Sequence, residues 1–183
     1  QNLLKHSEAF ENAVWVAAGY TVSAGTTIAD PLGTKTAELL SAGAGATDNV
    51  TQESGTAAAS KTFVGSVWAQ RSGGSDVSFN LRVDCGTTAG TAAGRLATVD
   101  WERFAVSQAC GAGASGNAKL VLNNGTNAIR VWGAQLENVT DEPVANQTDA
   151  GVYVKTGASA VSSIGRGLVS NNDLLIIGSQ TIS

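Results

Sequence analysis

The strongest constraint on the fold is a run of strict alternation near the middle of the chain. Through residues 77–83 every odd-numbered side chain is apolar and every even-numbered one is polar. Successive side chains of a β-strand point to opposite faces, so this period of two predicts a strand with one face in a core. Residues 62–69 predict a second strand just before it, and the Gly- and Ser-rich residues 71–76 predict a hairpin loop between the two.

Five further segments have strand character, and they lie at residues 36–40, 49–53, 101–107, 118–122 and 128–137. Clusters rich in Gly and Ala at 42–46, 86–94 and 111–116 predict loops. The run Asn123, Asn124 and Gly125 predicts a tight turn before the last of these strands. Short strands at this spacing are typical of an antiparallel sandwich or barrel, so we expect an all-β fold.

Composition narrows the classes of function. Charged residues make up 14% of the 183 residues, too few for the solvent-facing sides of long amphipathic helices. The net charge is −4 and the 11 basic residues are scattered, which argues against binding to nucleic-acid phosphates. The apolar run at residues 174–177 is far shorter than the roughly 20 residues that span a bilayer. We therefore expect neither nucleic-acid binding nor membrane insertion.

The sequence changes character after residue 137. Pro143 would interrupt a central strand ladder, and three short strand-like runs follow at 152–155, 160–164 and 174–182. A segment of about 40 residues buries little surface alone, so it must pack on the sandwich, on another copy of the chain or on a partner. We divide the chain into a domain at 1–142 and a strand-rich extension at 143–183, which we interpret as an assembly arm.

The only two cysteines, Cys85 and Cys110, each close a predicted strand. They could meet across a sheet as a disulfide or remain a pair of buried thiols, and the sequence leaves both open. Neither has the CxxC spacing of a metal or redox site.

Several motifs occur together in one order along the chain. They are NLL at residues 2–4, SEAFENAVW at 7–15, DPLGTKTA at 30–37, KTFVGSVWAQ at 61–70, WERF at 101–104 and VWGAQLE at 131–137. Over residues 2 to 142 the chain resembles a module common in phage structural proteins, which in turn resembles the jelly-roll carbohydrate-binding modules of secreted polysaccharide-degrading enzymes. The resemblance implies an antiparallel jelly-roll β-sandwich.

The same resemblance implies a role in attachment. We expect a non-catalytic phage virion structural protein, either a head decoration or a tail-fibre component. Its partners would be other virion proteins, copies of itself in a homo-oligomer such as a trimer, and host surface glycans. Its location would be the virion surface, after assembly in the host cytoplasm. The alternative is a carbohydrate-binding module of a secreted polysaccharide-degrading enzyme.

Catalytic patterns are weak in this sequence. Its single histidine, His6, has no partners for a catalytic triad in the sequence pattern, and we interpret it as a structural or surface residue. Asp100 and Glu102 would share one face of a strand and could form a glycosidase carboxylate pair, but a solvated strand entrance is the simpler interpretation. We therefore expect no enzyme activity and no catalytic residue.

The candidate ligand site is a glycan site at Trp68, Gln70, Asn80 and Arg82. Sugar rings stack on flat aromatic faces, and Trp68 alternates with core-type residues, so it should point outward beside Gln70. Asn80 and Arg82 also point away from the apolar side of their strand, and the register of the hairpin decides whether they share a face with Trp68.

The other tryptophans have simpler interpretations. We expect Trp15 and Trp132 to pack in the core, and Trp101 to pack where its strand begins.

No cofactor is expected. Carbohydrate-binding jelly rolls often carry a structural calcium, and Glu8, Glu11 and Asp30 are its potential ligands here. The sequence contains no spaced acidic loop of the EF-hand kind, so this calcium site is a secondary alternative.

Overall fold

The computed structural model describes residues 1–24, 27–43, 48–123 and 127–161. Ten strands form in it: β1 (Val16–Ala18), β2 (Tyr20–Ser23), β3 (Glu38–Ala42), β4 (Asn49–Ala57), β5 (Thr62–Arg71), β6 (Val77–Cys85), β7 (Ala93–Ala97), β8 (Glu102–Ala109), β9 (Asn117–Asn123) and β10 (Ile129–Asn138). One turn of 3-10 helix follows at Val144–Asn146. No helix within these ranges is long and apolar enough to cross a membrane.

The strands form two five-stranded antiparallel sheets. Sheet I has the order β1-β4-β9-β6-β7, and sheet II has the order β2-β3-β10-β5-β8. The inward side chains of both sheets meet in one apolar core, in which the rings of Phe79 and Phe104 pack edge to face with their centroids 5.2 Å apart. The expected all-β antiparallel sandwich is confirmed.

The hairpin expected between β5 and β6 is wrong, because these strands lie in opposite sheets. β5 pairs with β10 and β8, whereas β6 pairs with β9 and β7. Each of the two strands has apolar side chains on one face. When the strands lie in facing sheets, these two apolar faces pack against each other in the core. Residues 72–76 therefore cross between sheets. β9 and β10 are also in different sheets, and the turn expected at Asn124 and Gly125 lies outside the described residues.

All seven strands expected within residues 1–142 are present, with ends shifted by a few residues. β1, β2 and β7 had not been expected. β1 is exposed throughout its three residues, and β7 begins inside a Gly- and Ala-rich cluster that predicted a loop. Short edge strands with little apolar alternation have no period-two signal in the sequence.

A disulfide joins the two sheets. Cys85 ends β6 in sheet I and Cys110 directly follows β8 in sheet II, with 5.6 Å between their Cα atoms. Both residues are buried at the edge of the core. The two cysteines left open by the sequence are therefore paired.

The described part of the extension packs on the chain's own sandwich. Residues 147–157, here called the strap, cross the outer face of sheet II. The strand expected at 152–155 is wrong, because the strap backbone bonds to side chains of the sheet rather than to a neighbouring strand. Residues 162–183, which include the run at 174–182, lie outside the described residues, so the assembly arm stays a prediction for them.

Candidate functional site

Buried polar side chains of β10 hold the middle of the strap. The amide of Gln135 accepts a hydrogen bond from the backbone N of Val154 at 2.7 Å and donates one to the carbonyl of Val152 at 3.2 Å. The carboxylate of Glu137 accepts one from the backbone N of Gly151 at 2.8 Å. Gln135 and Glu137 are almost fully buried, and the strap backbone supplies the partners that buried polar groups require.

The N-terminal segment holds the end of the strap in the same way. The amide of Asn2 donates to the carbonyl of Val154 at 2.9 Å, and the hydroxyl of Ser7 accepts from the backbone N of Thr156 at 2.9 Å. Asn2 also pairs with Val161 through two backbone hydrogen bonds of 2.8 Å. At the start of the strap the hydroxyl of Ser107 donates to the carbonyl of Gln147 at 2.6 Å, so the strap is fixed at both ends and in the middle.

Aromatic side chains on the outer face of sheet II are covered. Trp132 lies directly opposite Trp68 in the β10–β5 ladder, and the ring of Tyr153 from the strap packs on Trp132 at 4.8 Å. Trp132 is buried, as expected, but it lies under the strap and not between the sheets. Its indole N donates to the hydroxyl of Thr36, so the segment before β3 also contacts this face. Trp15 lies in the core, as expected.

Trp68 and Gln70 occupy the outward positions of β5 that the alternation predicts. Trp68 is only partly exposed, and its indole N is buried without a hydrogen-bond partner among the described residues. Gln70 donates to the carbonyl of Val99 at 2.6 Å. Trp101, just before β8, donates to the carbonyl of Ala29 at 2.9 Å. Trp68 and Trp101 are therefore both only partly exposed within the described part of the chain.

Asn80 and Arg82 lie on the outer face of sheet I, on the opposite side of the molecule from Trp68. The expected four-residue glycan site is therefore not formed as one site. The sequence correctly predicted which side chains of β5 and β6 point outward. The two strands lie in facing sheets, however, so their outward side chains point in opposite directions.

Among the described residues the outer face of sheet I is exposed and mostly polar, with the exposed apolar side chains Leu96 on β7 and Val16 on β1 at its two edges. Asn80 is exposed and lies opposite Asn123 on β9 and opposite Gly94 on β7, where the missing side chain leaves space beside the Asn80 amide. None of the ten aromatic residues of the chain, all of which fall in the described ranges, lies on this face. The face therefore offers hydrogen-bonding groups and no ring-stacking surface.

Arg82 is held in a fixed orientation on this face. Its guanidinium donates to both carboxylate oxygens of Asp84, at 2.7 and 3.3 Å, and Asp84 in turn accepts from the backbone N of Gly90 at 3.0 Å. Lys119 lies between Asp84 and Glu53 and forms an ion pair with Glu53 at 3.5 Å. Positive and negative charges alternate across the face, so it does not select for a strongly charged ligand.

Sequence reasoning found only part of this face. Asn80 and Arg82 follow from the alternation of residues 77–83. Asp84 continues the same outward row of β6, whereas Lys119 and Asn123 join them only through the pairing of β6 with β9, which no local pattern encodes.

The residues considered for catalysis do not form a site. Asp100 and Glu102 are both exposed at the start of β8. His6 has a left-handed backbone with φ of 47°, and its carbonyl accepts a hydrogen bond from the indole of Trp15 at 3.1 Å. Its role in the structure is to shape the N-terminal turn.

The acidic residues considered for calcium do not converge. Burial alone would raise the pKa of Asp30, but hydrogen bonds from Thr34, Thr36 and the backbone N of Leu32 outweigh it and lower the pKa to about 2. Glu8 instead binds the ammonium of Lys155 at 2.6 Å. Within the described residues no group of three or more His, Cys, Asp or Glu side chains is arranged to hold a metal ion.

Comparison with solved structures identifies the architecture. The CBM22-1 xylan-binding domain of Xyn10C from Paenibacillus barcinonensis aligns over 76% of this chain and 96% of its own length, with a TM-score of 0.58 and 16% identity. The fold is the jelly roll of carbohydrate-binding modules. No family model and no curated protein matches the sequence.

Two larger proteins contain the same fold. The CBM22-1 and GH10 modules of xylanase 10B from Clostridium thermocellum, complexed with xylohexaose, align over 75% of this chain and 27% of their own, with a TM-score of 0.55 and 14% identity. The enzymatically active domain of tailspike protein 4 from bacteriophage CBA120 aligns over 75% of this chain and 21% of its own, with a TM-score of 0.52 and 16% identity. At these identities the likeness shows the fold alone.

Proposed function

We propose that this chain is a non-catalytic structural domain of a phage virion, displayed on the head or the tail, whose open face contacts host surface glycans. The observation that carries this proposal is the asymmetry of the sandwich. The outer face of sheet II is covered by the strap and by the segment before β3, whereas the outer face of sheet I is exposed among the described residues and carries mostly polar side chains.

The chemistry of sheet I suits sugar hydroxyls. The amide of Asn80 both donates and accepts hydrogen bonds, and the guanidinium of Arg82 is preorganised by Asp84. Without aromatic stacking, a single face should bind weakly, with a dissociation constant on the order of 1 mM. Several copies on one particle would raise the avidity by two orders of magnitude or more, and this favours an oligomer such as a trimer.

Two observations support a role of this chain in a phage virion. The sequence motifs over residues 2–142 resemble phage structural modules, and a phage tailspike contains the same fold. The proposed partners are therefore other virion proteins and copies of this chain, and the proposed location is the virion surface after assembly in the host cytoplasm.

The second candidate is a carbohydrate-binding module of a secreted polysaccharide-degrading enzyme. The likeness to xylan-binding domains favours it, and it makes a different binding prediction. A module of that kind should bind soluble xylan or β-glucan as an isolated chain.

Substitution on sheet I tests the proposed glycan contact. The double variant Asn80→Ala/Arg82→Ala is expected to bind bacterial surface polysaccharide about tenfold more weakly, because it lacks two side chains that hydrogen-bond sugar hydroxyls. Affinity electrophoresis against capsular polysaccharide, lipopolysaccharide O-chains, xylan and β-glucan measures this. Gln70→Ala is the matched control, since Gln70 lies on sheet II, and it should bind like the unaltered chain.

The outcome separates the two candidates. Retardation by xylan alone would favour the enzyme module, and retardation by no polysaccharide would remove the glycan contact. Immunogold labelling of intact phage particles with antibodies to this chain tests the virion role independently, and unlabelled particles would contradict it.

A further inference from the structure

Five outward positions line up across all five strands of sheet I. In the order of the strands they are Ala18, Asn49, Asn123, Asn80 and Gly94, here called the asparagine row. The pairing of Val50 with Leu122 places Asn49 opposite Asn123, and every other neighbour in the row is paired directly. Val50 and Leu122 point into the core, so the row lies on the outer face. Three asparagines therefore lie side by side in the middle of the sheet.

The spacing of the row suits a chain of sugar rings. Neighbouring strands lie about 4.8 Å apart, so the five strands span about 19 Å, roughly the length of four linked sugar rings. Each asparagine amide can donate and accept hydrogen bonds, which is what a pair of sugar hydroxyls requires. Asn80 is exposed, and the Asn123 amide is oriented by a hydrogen bond that it donates to the carbonyl of Asp48. The row therefore offers the same recognition group on three consecutive strands.

The row is open at both ends. Ala18 and Gly94 lie on the edge strands β1 and β7, and both are exposed. Among the described residues, a Cβ atom added at Gly94 would meet only the Asn80 side-chain oxygen, at 3.9 Å. A polymer that follows the row can continue past either edge of the sheet, so the row can bind the interior of a long chain as well as its end.

The charged groups beside the row pair with each other. Arg82 contacts Asp84 at 2.7 Å, and Lys119 contacts Glu53 at 3.5 Å. None of the five residues of the row carries a charge. A charged ligand would have to compete with these ion pairs, whereas a neutral sugar chain needs only the amides. The electrostatics of the face therefore favour a neutral ligand.

We propose that the asparagine row binds a neutral, linear polysaccharide that lies across the strands of sheet I. This binding mode rests on the proposed glycan contact of the face, to which it adds the direction of the sugar chain and the class of the sugar. Asn49 distinguishes the possible directions, because it lies two strands, about 10 Å, from Asn80. A sugar chain that lay along β6 would contact Asn80 and Arg82 and would not contact Asn49.

Single substitutions in the full chain test the direction. Asn49→Ala is expected to weaken binding about threefold, because one hydrogen-bonding amide is lost. Ser78→Ala is the matched control, since Ser78 is the exposed outward residue next to Asn80 along β6 and lies outside the row, and it should bind like the unaltered chain. Affinity electrophoresis measures both variants. The probes are linear mannan, β-glucan and neutral O-chains on one side, and polygalacturonate and acidic capsular polysaccharide on the other.

A side chain placed at the open end of the row tests the site without removing an amide. Gly94→Leu is expected to weaken binding about tenfold, because it fills the space that a sugar ring would occupy. Its thermal unfolding midpoint should not fall, since a Cβ atom fits at this position.

The outcomes separate this binding mode from the glycan contact on which it rests. The neutral probes should retard the unaltered chain equally at about 0.05 M and about 0.5 M salt, because no ion pair to the ligand is screened. Unweakened binding by Asn49→Ala and Gly94→Leu, with weaker binding by Asn80→Ala/Arg82→Ala, would overturn the row and leave the contact in place. Retardation by the acidic probes alone would overturn the neutral ligand. Retardation by no probe would overturn both the row and the contact.

Discussion

A chain shortened to end at Glu142 is expected to lose on the order of 5 kcal/mol of folding stability, whereas one that ends at Val161 should keep it. Removing the strap breaks the hydrogen bonds that Asn2, Gln135 and Glu137 make to its backbone and exposes the sheet surface beneath it. Each such hydrogen bond contributes about 0.5–1.5 kcal/mol net, and one to a charged group about 1.5–3 kcal/mol. The loss is comparable to the whole stability of a typical domain.

Losing the strap also uncovers Trp132. Tyr153 packs on its ring in the folded chain, and without the strap an indole now 1% exposed would face water. Guanidinium denaturation of the two shortened chains and the full chain measures the difference. Equal stability of all three would show that the strap does not support the fold.

The same shortened chains test the assembly arm. Residues 162–183 are absent from the chain that ends at Val161, which retains every described contact of the strap. If those residues join copies of the chain, gel filtration should show an oligomer for the full chain and a monomer for the shorter one. An unchanged elution volume would contradict the arm.

Removing the disulfide is expected to cost about 3 kcal/mol. Cys85 and Cys110 are 25 residues apart in the sequence, and a covalent link over a loop of this size restricts the unfolded chain by about that amount. The link also joins β6 of sheet I to the end of β8 in sheet II, so it opposes separation of the sheets.

The double variant Cys85→Ala/Cys110→Ala measures this contribution in guanidinium denaturation. Alanine suits the buried sites because it leaves no polar group unpaired. Denaturation of the unaltered chain with and without a reducing agent is the control, and the reduced chain should match the double variant within about 1 kcal/mol. A double variant as stable as the oxidised chain would show that the link adds nothing to the sandwich.

The asymmetry of the sandwich links the fold to the proposed role. One face is closed by the chain's own strap, whose backbone fills a groove lined by buried polar side chains, and the other presents Asn80 and Arg82 to solvent. A domain built this way can be anchored on one side and make contact on the other. This arrangement suits a structural protein that displays a weak contact surface in many copies.

Local pattern alone determined much of this protein. The alternation at 77–83 fixed β6 and put Asn80 and Arg82 outward, and the run at 62–69 put Trp68 outward from β5. Whether a side chain of a strand points inward or outward depends only on its position among its neighbours in that strand, so it can be predicted directly from the sequence. The same is true of the seven strands expected within residues 1–142, whereas the burial of Trp15 was expected from the family resemblance.

Tertiary structure alone decided which of those outward residues share a face. β5 and β6 are adjacent in sequence yet belong to facing sheets, so Trp68 and Arg82 point in opposite directions. Gln135, Glu137 and Glu38 look like surface residues in the sequence, and only the strap and the N-terminal segment bury them. Pairing between distant strands and the docking of distant segments depend on contacts across the whole chain, and no local period encodes them.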